Sequence, residues 1–570
     1  MALPLIMGLL GSTLGAGATS GVLATLGSVG AGALGHASNS GTQNVAIGKD
    51  AGNGITSGNQ NILIGVNAGD AIGDADYNIA IGHNALTTNT IGSKSIAIGR
   101  NSLLFQIPGS ALDCHNIAIG DGAGSQVTTG RFNVFIGNDA GDTFNTGGAN
   151  TAIGHAALSG DTKGDQSVAI GTGALNAQNF TSATNAYNTA VGRSAGLLLQ
   201  TGVQNTIIGA LAADAATTPD TCTIIGYQAC GDGVLTGDKN VVIGGNAGLS
   251  MTSGTNNTLV GNNAGDAITS GSGNVAIGEG AFSAEDTGSN HVAIGKDALN
   301  ALNVGGNSNV AIGLNALKLN VSGGTNTAIG TNTLAAQNTS GGATDTHNTA
   351  VGNSAGTAVT GTENTLIGSL AGASSHTAHL TSGSSNVIIG YDMNTSGATG
   401  VNQIALGVGF ACTGNNNFVF GKASNVVEND FDTDANWTRS SDERLKKNIT
   451  DQKLGLDFIN DLRTVKYNWK PNSELDATDS QLAHLRKEDE DGNIINHMNT
   501  TATMHNFIAQ EVKTALDKAG VSDFSGWKED QYGVQQVSRE MFIIPLVKAM
   551  QELSAKVTSL EAEVTKLKGS

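Results

Sequence analysis

Proline is nearly missing from this chain of 570 residues, which holds only 5, and that scarcity removes the collagen reading that 81 glycines would otherwise invite. Collagen needs imino acids between glycines at every third position. Aromatic residues make up 4 %, too few to centre several ordinary globular cores. Charged residues are only 13 % beside 39 % hydrophobic ones, which is too apolar for a solvated disordered chain. Cysteines are four, Cys114, Cys222, Cys230 and Cys412. They lie far apart with no CxxC or Cys/His ligand spacing, so they read as buried reduced thiols, with no disulfide framework, metal site or cofactor.

Positive charge is scarce as well. Lys and Arg number 28 against 47 Asp and Glu, a net charge of −19, which argues against a nucleic-acid partner. The balance is uneven: residues 1–421 hold 9 basic against 22 acidic side chains, residues 422–570 hold 19 against 25. A boundary is therefore expected near residue 421. Residues 1–48 carry no Asp, Glu, Lys or Arg. Residues 1–40, rich in Gly, Ala and Leu, read as an attachment segment buried in a larger assembly or as a membrane anchor.

What the chain does have is self-similarity. A five-residue unit, Asn-x-Ala-Ile-Gly with variants, begins at Asn44, Asn61, Asn78 and Ser95 and recurs to Gln403 and Asn417, 22 copies in all. Of the 21 spacings between them, 13 are 17 residues. In Val45-Ala46-Ile47-Gly48 alternation sends Val45 and Ile47 to one face of a short strand and Ala46 to the other. Both faces are apolar, so both should be covered. The β-branched face is expected to fill the inside of a coil, and the alanine face to admit a neighbouring chain closely. The glycine can take positive φ and turn the strand. The repeated Asn suits a ladder of amides along the axis or simply a turn. With ~4.8 Å per rung, such a shaft runs about 100 Å, a spacer or adhesive rod rather than a compact enzyme. The predicted fold is mainly β: a parallel β-solenoid over residues 41–421.

These repeats resemble the Ala-Ile-Gly repeats in the heads of trimeric autotransporter adhesins, which implies left-handed β-rolls packed about a threefold axis. Longer spacings mark insertions at Leu103–Cys114, Ala174–Tyr187, Asn332–His347 and Leu370–Ser385, where Phe105, Phe180 and Tyr187 are candidate receptor contacts. Asp70, Asp74 and Asp76, and Asp432 with Asp434, lack EF-hand spacing and read as solvated acidic turns.

Residues 422–440 read as an acidic linker, and an α+β composition follows over 441–570. Ser441-Asp442-Glu443-Arg444-Leu445-Lys446-Lys447-Asn448-Ile449, then Tyr467-Asn468-Trp469 and Phe507-Ile508-Ala509-Gln510-Glu511-Val512, resemble in order the self-cleaving intramolecular chaperone domains that end endosialidases, many phage tail fibres and neck appendages. A serine hydroxyl can be activated by a lysine amine whose pKa is brought down from about 10.4 by desolvation or nearby positive charge. Arg444 and Lys447 are candidates for that charge. The resemblance assigns Ser441 as nucleophile, Lys446 as general base, and the Ser440–Ser441 bond as the one cut. Leu546, Met550, Leu553, Val557, Leu560, Val564 and Leu567 alternate by four and three, the apolar seam of a coiled coil over 542–568.

The combined reading is a viral tail fibre or spike subunit that forms a homotrimer in the virion, attaches through its N-terminus to a baseplate, tail or capsid protein, and meets a host-surface receptor. The chaperone domain would align near-identical rungs that otherwise slip in register, then leave. A cell-surface adhesin or membrane-anchored factor with the same domain is the alternative. A polysaccharide-degrading spike would need paired carboxylates in a cleft, which the repeats do not offer.

Overall fold

The computed structural model describes residues 27–569 apart from 285–286, 303–307, 338–343, 375–377, 431–437, 440, 489–491, 496–499 and 502. Most of the anchor segment, Ser440, Asp432 and Asp434 thus lie outside the described residues. The chain divides into two compact units at Ser440/Ser441.

Unit one is a parallel β-solenoid. Each copy of the repeat contributes a short strand, three residues long until the last three copies, such as Val45–Ile47, paired in register with the next, Ile62–Ile64, and so on to Asn417–Lys422. The coil begins one rung earlier than the motif: Gly27–Val29 pairs in parallel with Val45–Ile47. That rung lacks both the Asn and the Ile that mark the others, so its sequence hides it. At the other end Asn425–Asp430 folds back antiparallel on Asn417–Lys422. Part of the expected linker is therefore a hairpin that covers the last open edge.

We number each rung from its asparagine, so that Asn44 is position 1 and Gly48 position 5. Position 1 is buried in rung after rung, as in Asn44, Asn61, Asn133 and Asn150, each 0 % exposed. The amides form the expected ladder. Asn133 Oδ1 accepts from the Asn150 backbone N–H (3.0 Å) and from Asn150 Nδ2 (3.1 Å), while Asn133 Nδ2 donates to the Gly147 carbonyl (3.0 Å). Two rungs start with serine, which cannot span that gap, and a buried glutamine at position 12 stands in. Gln106 Oε1 accepts from Asn116 Nδ2, and Gln178 Oε1 from Asn188 Nδ2, each at 2.9 Å.

The orientation of the strand reverses the expectation. Ala46 is fully buried, whereas Val45 and Ile47 are 36 % and 42 % exposed, and the same inside-outside pattern recurs along the shaft. The reason is the width of the coil. Positions 3, 8, 9 and 12 all point inward, so little more than a methyl fits at position 3 unless a neighbour gives way. Where position 3 is leucine or phenylalanine, glycine occupies position 9 of the same and the preceding rung: Gly52 and Gly69 flank Leu63, and Gly124 and Gly141 flank Phe135. A Cβ on any of these would come within 2.4–2.8 Å of that side chain. Where position 3 is alanine, position 9 is often leucine, as with Ala80 and Leu86. The β-branched residues at positions 2 and 4 instead line the outer face, where position 2 varies between Val or Ile and Thr while position 4 forms a continuous apolar column. Position 4 is Ile, Val, Leu or Phe from Ile47 to Phe420.

Position 5 needs glycine for two reasons. Gly137, for example, has φ 136, and a Cβ there would sit 2.5 Å from the carbonyl oxygen of Gly154 in the next rung. All four cysteines are buried and unpaired, and burial pushes Cys114 up to about 11 and Cys412 to about 12.

Unit two is a small α+β body. Helices α1 (Leu456–Asn460), α2 (Ala509–Lys518) and α3 (Ile543–Lys568) accompany the antiparallel pair Thr464–Tyr467 and Met504–Phe507. Leu454, Phe458, Val512, Ala515, Leu516 and Phe542 form its core. Glu552 of α3 accepts the Leu456 N–H at 2.8 Å, tying α3 to the start of α1. The rest of α3 turns its heptad seam outward: Met550 is 64 % and Leu560 58 % exposed. Among the described residues no helix is long and apolar enough to cross a membrane.

Candidate catalytic site

Four residues separate Ser441 from Lys446, and a single 3₁₀ turn brings them together. Asp442 caps the turn Glu443–Leu445, accepting the Arg444 N–H at 2.9 Å. The backbone N–H of Leu445 closes on the Asp442 carbonyl at 3.1 Å, and that of Lys446 on the Glu443 carbonyl at 2.9 Å. Lys446 itself is extended, which sends its side chain back towards the start of the turn. Its Nζ donates to Ser441 Oγ at 2.8 Å. Nucleophile and base are therefore within hydrogen-bond reach, the geometric requirement for activating a hydroxyl.

The electrostatics differ from the sequence expectation. Arg444 is engaged by Asp442. Its guanidinium folds back on the Asp442 carboxylate in a fork, 3.0 and 3.1 Å from Nε and 2.6 Å from Nη2. That contact, with the Arg444 backbone N–H and the Lys446 charge, holds the Asp442 carboxyl below the usual carboxylate range. A carboxylate thus sits between the two cations, and the guanidinium braces the turn instead.

Ser441, Lys446 and the residues around them are exposed, and two apolar side chains beside them, Leu445 and Ile449, are each 65 % exposed. The expected receptor aromatics are divided. Phe180 is 5 % exposed and belongs to the shaft interior, while Phe105 and Tyr187 are 39 % and 49 % exposed. Of the acidic group, Asp74 accepts from Thr56 and Ser57, and Asp76 from the Asn59 N–H, so both staple one rung to the next. The glutamines of the serine rungs were missed by sequence reasoning, although each lies eleven residues after its serine.

Residues 441–521 match the family model described as the chaperone of endosialidase. The match begins at Ser441, where the second compact unit also begins. It takes in the Ser–Lys turn, α1, the antiparallel pair and α2, and it leaves α3 outside. No curated protein and no solved structure matches the chain. The chaperone domain after a β-solenoid shaft fits a fibre-like structural protein with a C-terminal chaperone.

Proposed function

We propose that this chain is a phage tail-fibre or spike subunit whose C-terminal unit assembles three copies in register and is then released by a cut at Ser441. The observation that carries the cleavage is the 2.8 Å contact of Lys446 Nζ with Ser441 Oγ at the first residue of the chaperone match. Ser441 Oγ attacks the carbonyl carbon of Ser440 as its proton passes to the Lys446 amine. The Ser441 nitrogen leaves with a proton returned from the lysine, giving an ester between the Ser440 acyl group and Ser441 Oγ. Water then hydrolyses the ester and frees both fragments.

A lysine acts as base only when neutral, and burial is what favours that form. The single chain leaves the dyad open to water, with Leu445 and Ile449 uncovered beside it. Cover supplied by sister chains would both bury these side chains and dry the dyad, so the cut follows assembly. The assembly surfaces are the outer apolar column at position 4 of the shaft and the α3 seam. That column runs about 100 Å over its 22 rungs, a long apolar stripe for a single chain to leave facing water.

Expression of the wild type beside Ser441→Ala and Lys446→Ala tests this. The wild type should give two fragments on a denaturing gel, and both variants one full-length band with unchanged oligomer size. Cleavage that persists in Ser441→Ala rejects the nucleophile. Full-length variants that no longer assemble reject the separation of cutting from chaperoning.

A further inference from the structure

Asp442 and Lys446 stand at positions i and i+4 of one turn, the spacing at which an acid and a base commonly pair with each other. In this chain Lys446 Nζ turns to Ser441 Oγ instead, at 2.8 Å. The carboxylate is already taken. Arg444 donates to it from Nε at 3.0 and 3.1 Å and from Nη2 at 2.6 Å, engaging both oxygens. A two-point guanidinium contact of this kind is favoured over the single-point contact of an ammonium. The Arg444 side chain is 87 % exposed, so it adds little packing to the unit. The turn itself is closed by backbone bonds and by the Asp442 cap.

An unoccupied carboxylate at this place would oppose the cut in two ways. It would draw Lys446 Nζ away from Ser441 Oγ. It would also favour the charged form of the amine, which cannot take up the serine proton. The Lys446 charge does reach Asp442, since it helps hold that carboxyl below the usual range. Yet the acceptor cannot be dispensed with, because the Asp442 side chain caps the turn that brings Ser441 and Lys446 together. The turn needs an oxygen there, and the base needs its charge offset. Glu443 and Lys447, the other charged residues of this segment, are exposed.

We propose that Arg444 is a positioning residue for the cut: by taking up the Asp442 carboxylate it keeps Lys446 on Ser441 and leaves the amine able to lose its proton. This rests on the cleavage proposed above and adds to it the residue that frees the base.

The full-length chain is made by cell-free synthesis, transferred to buffers between about pH 6 and pH 9, and sampled over time on a denaturing gel. Oligomer size is followed in parallel. Arg444→Gln should assemble as the wild type does and cut at least about threefold more slowly at pH 7, with the acid limb of its profile moved up by about half a unit or more. Removing the anion as well should undo the loss. Asp442→Asn keeps a side-chain oxygen to accept the N–H of residue 444, so the cap survives. The double variant Arg444→Gln with Asp442→Asn should recover most of the wild-type rate. Asp442→Asn alone should move the acid limb down, and it carries the test should Arg444→Gln fail to assemble. A guanidinium that only braced the turn would leave the double variant as slow as Arg444→Gln, and that result overturns the proposal. So does an Arg444→Gln chain with an unmoved profile, or an acid limb moved up in Asp442→Asn. A wild type that stays full length removes the proposed cleavage and this inference together. A wild type cut at Ser441 beside an unrescued double variant removes this inference alone.

Discussion

Replacing Asn133 by alanine removes one link of the buried amide ladder, and the structure sets the size of the effect. Three bonds are lost: the Asn133 Nδ2 donation to the Gly147 carbonyl and the two that Asn150 donates, from its backbone N–H and from Nδ2, to Asn133 Oδ1. The Asn150 side chain keeps its bonds to the Gly148 and Gly164 carbonyls. The Asn150 N–H and the Gly147 carbonyl lose these partners inside the coil. Orphaning a buried polar group costs about 1–3 kcal/mol, so the two together predict about 2–6 kcal/mol of local destabilisation. In a solenoid each rung leans only on its neighbours, and the damage should stay local. Hydrogen exchange with mass detection is the assay. Amides in peptides covering residues 116–167 should exchange about 30- to 20,000-fold faster, at roughly tenfold per 1.4 kcal/mol. Peptides around Thr349–Val351 should be unchanged. A change below threefold near Asn150, or an equal change along the whole shaft, refutes the ladder as a local source of stability.

Other perturbations separate further parts of the account. Gly137→Ala meets the Gly154 carbonyl at 2.5 Å and should destabilise by more than about 3 kcal/mol, whereas Gly109→Ala has nothing within 4 Å and should leave thermal melting within ~0.5 kcal/mol of wild type. Asp70, Asp142, Asp214 and Asp266 share position 10 of their rungs, and burial raises each carboxyl above its ordinary value. A carboxyl raised in the fold supports stability below the unfolded value of about 3.9, and that support is lost as pH rises through the folded value. Asp266→Asn should therefore raise the shaft's melting temperature at pH 7 but not at pH 3.5, and equal effects at both would reject the assignment. Leu560→Lys, placed in the exposed α3 seam, should lower the sedimentation coefficient of the Ser441→Ala chain. An unchanged coefficient would move oligomerisation elsewhere.

Ser441 and Lys446 were picked out by the resemblance of their motif, whereas the repeat and its strand-then-glycine unit were legible in the sequence because they rest on spacing. Which face of the strand points inward was not. Val45-Ala46-Ile47 is apolar on both sides, and alternation cannot say which side a coil encloses. That depends on how many other positions share the interior. The clue lay in paired substitutions, Leu63 with Gly52 and Gly69, Phe135 with Gly124 and Gly141, which make sense only if position 3 and position 9 compete for one narrow core. The expected linker hid a hairpin, since Asn425–Asp430 pairs with the last rung although its acidic composition suggested solvated chain. The sequence also placed two basic neighbours beside Lys446, but not the fork by which Asp442 takes up Arg444. Such a contact is set by the three-dimensional turn and not by proximity along the chain.

Intact mass spectrometry of the wild-type chain after expression and assembly addresses the central claim most directly. Two products are predicted in equal amount, one of them residues 441–570 with Ser441 at its amino terminus. A single species retaining the full 57.2 kDa, or a C-terminal fragment that begins at any residue other than Ser441, contradicts the account.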